Sequence, residues 1–136
     1  MQKPGVRSFK NELRNYRYYV SRVVDLGEKI DLCYHRLGGV RAVDPGRIPV
    51  SGMPNKDAEY KTRDDIERYT RLKALYQAKL DEMDRILGLI EKEMRDALVR
   101  VYVDGEQIRK VADMYFLSHN GLAKRINRAI EKAMEE

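Results

Sequence analysis

Apolar residues recur along the first third of the chain at alternating steps of four and three. Phe9, Leu13, Tyr16, Val20, Val23, Gly27, Ile30, Tyr34 and Leu37 form the series, and Gly27 is its one gap. This spacing predicts a long helix with a single apolar face. Ser8 is the expected N-cap, because its hydroxyl can accept an unpaired amide of the first turn. Gly38 and Gly39 are the expected end, since glycine enters the left-handed region without a steric penalty. Such a helix, about 8–37, would be roughly 45 Å long at 1.5 Å per residue.

The periodicity then stops. Residues 38–62, "GGVRAVDPGRIPVSGMPNKDAEYKT", hold four glycines and three prolines, a density of breakers that excludes a helix. We read this stretch as a flexible Gly/Pro loop, unusually long for a compact domain. A second series follows at Tyr76, Leu80, Met83, Leu87, Ile90, Met94 and Ala97. It predicts a helix over about 63–98, roughly 54 Å long, with Ile66, Tyr69 and Lys73 extending the register upstream. Thr62 is its expected N-cap, and Asp64 and Asp65 in its first turn suit the positive end of the helix dipole. Two amphipathic helices of similar length hide their stripes most simply against each other. The expected arrangement for residues 1–98 is therefore a long antiparallel helical hairpin. A two-helix hairpin buries little, so further helices or a second copy, in a homodimer through the hairpin, are expected to help.

Residues 99–136 change character. Asp104–Gly105 is a turn signal. A short amphipathic helix follows, with Ile108, Val111, Ala112 and Tyr115 on one face. Phe116 and Leu117 lead into Ser118, which can cap a new helix whose apolar face is Leu122, Ile126, Ala129, Ile130 and Ala133. Two helices joined by about three residues, with a small alanine where they cross, make a helix-turn-helix. The fold class is thus all-α, a hairpin followed by a C-terminal helix-turn-helix over 99–136.

Composition agrees with helices that carry solvated faces: 43% of the 136 residues are hydrophobic and 36% are charged. No apolar run reaches the length of a signal peptide or a membrane span, and membranes are not expected partners. Cys33 is the only cysteine, which excludes an internal disulfide and a cysteine-based zinc site. A cytoplasmic protein is the simplest expectation. The net charge is +5 and the isoelectric point about 9.3, compatible with nucleic acid. Its distribution is more informative. Residues 107–128 hold five basic groups, Arg109, Lys110, Lys124, Arg125 and Arg128, against one acid, Asp113.

The order Val111-Ala112, Leu117-Ser118, Leu122, Arg125-Ile126 and Arg128-Ala129 resembles region 4 of bacterial sigma factors. The preceding "VRVYVDG" resembles the approach to that module, where an aromatic residue and Asp-Gly lead into the helix pair. The whole layout is similar to small phage transcription regulators of the ArpU type and their prophage relatives. The module match covers about the last forty residues, and the match to the rest is one of architecture. The resemblance implies control of phage or prophage genes, late genes among them, in a bacterial host cell. It implies double-stranded DNA as the partner, together with RNA polymerase. One residue departs from the module: Phe116 stands where it has a turn glycine. A non-glycine at positive φ costs roughly 1 kcal/mol. Either the turn differs here, or Phe116 offsets the strain by packing on the long helix.

A recognition helix reads base edges through its N-terminal outward residues. Those are His119, Asn120, Ala123, Lys124 and Asn127. Asparagine pairs bidentately with adenine, lysine meets guanine, and alanine meets a thymine methyl. Arg109, Lys110, Ser118, Arg125 and Arg128 are the expected phosphate contacts. Other candidates are weaker. Cys33 and His35 lack further metal ligands or a third catalytic group. In "YRYY", Tyr16 reads as core, with Tyr18 and Tyr19 packing or facing solvent. Asp81, Glu82 and Asp84 read as a solvated helix face. No phosphate-binding glycine loop is present. The chain reads as a sequence-specific DNA-binding regulator and not an enzyme, with no cofactor and no metal. A terminase small subunit that recognises phage DNA for packaging, and a helical interaction scaffold that binds no DNA, are the alternatives.

Overall fold

The computed structural model describes residues 3–41 and 56–136, and every element in them is a helix. In chain order these are α1 (Pro4–Arg14), α2 (Tyr16–Arg41), α3 (Lys56–Gly88), α4 (Lys92–Tyr102), α5 (Ile108–Met114) and α6 (His119–Glu135). No described helix is long and apolar enough to cross a membrane.

The chain divides into two compact units, Met1–Val20 with Ala78–Glu136, and Ser21–Gln77. The sequence suggests a different division, at residue 98, a position inside α4. In the first unit, α6 packs on α1, α4 and α5, and α4 also packs on α1 and α5. Val6, Phe9 and Leu13 of α1 meet Ala97, Leu98 and Tyr102 of α4, Val111 and Ala112 of α5, and Leu122, Ile126, Ile130 and Ala133 of α6 in one buried core. Burying such side chains is worth about 1.5–3 kcal/mol each, so this layer dominates the unit's stability.

The first long helix is not continuous. It starts at Pro4, a residue whose fixed φ suits the first helical position, and Ser8 lies inside it. It then breaks at Asn15, whose N–H bonds to Glu12 O at 3.0 Å before α2 restarts at Tyr16. The expected end at Gly38 and Gly39 is also exceeded, because α2 continues to Arg41. The second long helix is likewise two. It starts at Lys56, so Thr62 is an interior residue whose hydroxyl donates to Ala58 O at 2.8 Å. It stops at Gly88, where Leu89 N–H and Ile90 N–H tighten onto Ile86 O and Leu87 O, both at 3.1 Å. Glu91 then turns to extended backbone (φ −54, ψ 141) and opens α4. Within the expected 38–62 loop, 38–41 and 56–62 are thus helical, and 42–55 lie outside the described residues.

The buried seam of α2 differs from the expected one by a single step. Tyr19, Leu26 and Cys33 are buried, whereas Val20 and Tyr34 are exposed. Tyr16, Val23, Ile30 and Leu37 belong to both series and are half-buried. The helix therefore carries two overlapping apolar series, and the filled one has Leu26 where the other has Gly27. Glycine offers no side chain to bury, so its seam is the weaker. In the second unit α2 and α3 run antiparallel. Arg22 lies over the Tyr76 ring at 5.7 Å and Lys29 over the Tyr69 ring at 5.6 Å. Between them, Lys73 Nζ comes within 3.6 Å of where a Cβ on Gly27 would stand. Rising numbers on one helix thus meet falling numbers on the other.

In the tyrosine cluster the roles are also redistributed. Tyr19 is the buried ring and Tyr18 is exposed. Tyr16 is half-buried, and its O–H donates to Asp84 at 2.9 Å.

Candidate nucleic-acid interface

The C-terminal helices are held by backbone chemistry that the local sequence dictates. After α4, Gly105 takes φ 74, and Glu106 N–H reaches back to Arg100 O at 2.9 Å. This turn redirects the chain into α5. At the end of α5, Phe116 N–H donates to Asp113 O at 3.2 Å and Leu117 N–H to Ala112 O at 3.0 Å. That pair of bonds closes a helix when the residue beyond its C-cap turns left-handed. Phe116 is that residue, with φ 57. Ser118 then adopts extended backbone, and its hydroxyl accepts from Gly121 N–H at 3.0 Å. The cap satisfies one of the orphan amides of α6.

Phe116 resolves the question its sequence position raises. The turn keeps the left-handed geometry for which glycine is suited, and the side chain does not offset the strain by packing: it is 96% exposed. Ala112 is fully buried between α5 and α6, so the crossing needs a small residue there.

His119, Asn120 and Lys124 stand exposed along the leading half of α6, and Ala123 is half-buried beside them. Arg109 and Lys110 are exposed at the start of α5, and Arg125 and Arg128 are exposed on α6. Ser118 is exposed with its hydroxyl engaged in the cap. The chemistry available is thus an amide and an ammonium beside an imidazole, with four guanidinium or ammonium groups around them.

Asn127 leaves this set. It is half-buried, and its side-chain oxygen accepts a hydrogen bond from Lys10 Nζ of α1. That bond draws the Asn127 amide towards α1, apart from the exposed set. The sequence gives Asn127 the same outward register as Lys124, and only the packing of α1 on α6 reveals the difference.

Lys10 is itself unanticipated. It is 3% exposed, and its ammonium lies 5.3 Å from the centre of the Tyr102 ring. Arg14 approaches the same ring at 5.3 Å. Burial, aided by the Arg14 charge, lowers the Lys10 pKa from the usual lysine value. Burial also raises the Tyr102 phenol, with Arg14 opposing. A signal was present: Val6, Phe9, Lys10 and Leu13 share one face of α1, so Lys10 points at the core by register alone. Among the described residues, no three His, Cys, Asp or Glu side chains come close enough to hold a metal ion. Cys33 is buried and His35 exposed.

No protein-family model, curated protein or solved structure matches this chain.

Proposed function

We propose that the chain is a sequence-specific DNA-binding protein in which α5 and α6 act as a helix-turn-helix of the sigma region-4 kind. In this reading α6 enters the major groove, with α2 and α3 as a hairpin scaffold. The observation that carries it is the head of α6. A serine-capped N-terminus presents His119, Asn120 and Lys124 to solvent, directly after a short helix that carries Arg109 and Lys110. An exposed amide and ammonium at a helix N-terminus match adenine and guanine edges, and the surrounding cations match phosphates. The resemblance of this segment to sigma region 4, and of the layout to ArpU-type regulators, supports a role in phage or prophage transcription with RNA polymerase as a protein partner.

The test is selection of bound duplexes from a random pool by the full chain, followed by titration of the winner against salt. Four phosphate-contacting cations, Arg109, Lys110, Arg125 and Arg128, give a slope of log K against log salt of about −3.6, at 0.9 per phosphate. Affinity then falls about 150-fold between roughly 50 and 200 mM salt. Arg125→Ala should bring the slope to about −2.7, whereas Asn120→Ala should change the preferred sequence and leave the slope alone. A pool that returns no preferred sequence refutes the regulator reading. If salt-insensitive binding to a protein partner is found in its place, the chain is an interaction scaffold.

A further inference from the structure

We propose that Phe116 is a DNA-contacting residue whose ring meets the 5-methyl group of a thymine at the rim of the groove that α6 enters. The inference rests on the DNA-binding reading of α5 and α6, and it adds an apolar contact that the polar face of α6 does not supply.

Among the described residues, Phe116 is the non-glycine at positive φ, with φ 57. The left-handed region puts a Cβ against the neighbouring carbonyl, and glycine at the same place would be unstrained. Strained residues persist where surrounding structure holds them or where function requires them. The hydrogen bonds that close α5 hold its backbone, but nothing in the chain holds the ring, which is 96% exposed. A phenylalanine ring left in water is a second unfavourable feature, since aromatic side chains are among the largest apolar groups a protein can bury. The two features together locate the use of this ring outside the folded chain.

Position identifies what the ring would meet. Phe116 lies two residues before the Ser118 cap and four before Asn120. At 3.8 Å between successive Cα atoms, Phe116 and Ser118 are at most about 7 Å apart. Ser118 caps the helix whose second residue is Asn120, so a duplex seated at the head of α6 lies beside the turn that carries the ring. Charge identifies the partner's class. Residues 107–128 carry five basic groups and one acid, a surround that draws phosphates. The major groove displays one apolar group, the thymine methyl, and an unsubstituted phenyl ring forms no hydrogen bonds to any other base edge. Met114 is also exposed, so an apolar protein surface is the competing occupant. The cationic surround favours the duplex.

The experiment uses the full chain and a duplex it has selected. Each thymine is replaced in turn by uracil, which removes only the methyl group. The wild type should lose about fourfold in affinity at one thymine, the factor that burial of a single methyl supplies. Phe116→Gly should bind the unsubstituted duplex correspondingly more weakly and show no loss at that thymine. Its thermal midpoint should rise, because the backbone strain is gone and no packing is lost. Phe116→Asn, which tolerates the left-handed region, provides the same comparison if the glycine variant does not fold. If wild type and variants select the same duplex with identical thymine-to-uracil profiles, the Phe116 contact is overturned and the DNA-binding reading stands. Unchanged duplex binding with loss of RNA polymerase capture would assign the ring to a protein surface and overturn the contact equally. A wild type that selects no duplex removes both.

Discussion

Replacing Lys10 by methionine should raise the stability of this protein at neutral pH. Lys10 is 3% exposed, and its ammonium has two favourable interactions. It donates one hydrogen bond to Asn127 and lies over the Tyr102 ring at 5.3 Å. Charge-assisted hydrogen bonds contribute about 1.5–3 kcal/mol, and a desolvated cation over a ring contributes about 2 kcal/mol. Opposing them are the removal of the ion from water, which costs several kcal/mol, and repulsion from Arg14. The direction of the Lys10 pKa agrees with the cost of desolvation. It lies below the usual 10.5, with burial the larger cause and Arg14 the smaller, so the folded protein disfavours the charged form. Methionine keeps the length of the stem, removes the charge, and offers sulfur to the Tyr102 ring. Asn127 is half-buried and can turn to water. The net expectation is a gain of about 1 kcal/mol, the low end of what replacing a buried charge yields. For a chain of 136 residues that raises the thermal midpoint by about 3–4 °C.

The pH dependence supplies the sharper check. A lysine whose folded pKa is lowered is more protonated in the unfolded chain between the two values. Stability therefore rises with pH through that window, which ends at 10.5. The cost is fully present below the folded value and is relieved as the ammonium deprotonates. Tyr16 and Tyr102 act oppositely, because burial raises both phenols and favours their neutral form. Comparing wild type and Lys10→Met at each pH cancels titrations common to the two. The variant's advantage should be largest at pH 7 and shrink towards pH 10.5. Circular dichroism at 222 nm across a thermal ramp measures it. A Lys10→Met protein that is less stable than wild type at pH 7, or an advantage that grows with pH, refutes the reasoning.

Two further substitutions test the C-terminal helices. Ser118→Ala removes the oxygen that accepts from Gly121 N–H and should cost about 1 kcal/mol, read as a lower urea midpoint at unchanged slope. Ile126→Ala at a fully buried site of α6 should cost about 3 kcal/mol, measured by the same titration. A loss below about 1 kcal/mol would mean that α6 is not anchored through this face.

Local rules account for much of the C-terminal third. A glycine after Asp104, an alanine at a helix crossing and a serine ahead of an apolar run each act within a few residues. Gly105, Ala112, Ser118 and the Leu122, Ile126, Ile130 and Ala133 face of α6 are correspondingly legible in the sequence. Helical periodicity along the two long stretches is legible for the same reason. What periodicity leaves open is which of two overlapping series is filled. Val20, Gly27 and Tyr34 compete with Tyr19, Leu26 and Cys33 on α2, and the choice belongs to the helix packed alongside. The breaks at Asn15 and at Leu89–Glu91 have no strong breaker at their centres, and the apolar periodicity runs through both without a gap. The burial of Lys10 also needs the fold. A lysine has an apolar stem and a charged head, so its sequence suits either surface or core, and only α6 and Tyr102 closing over α1 put it inside. That closure engages the half-buried Asn127 amide while His119, Asn120 and Lys124 stay exposed. The residue types of the candidate interface are thus a property of the sequence, whereas their availability is decided by contacts between segments more than a hundred residues apart.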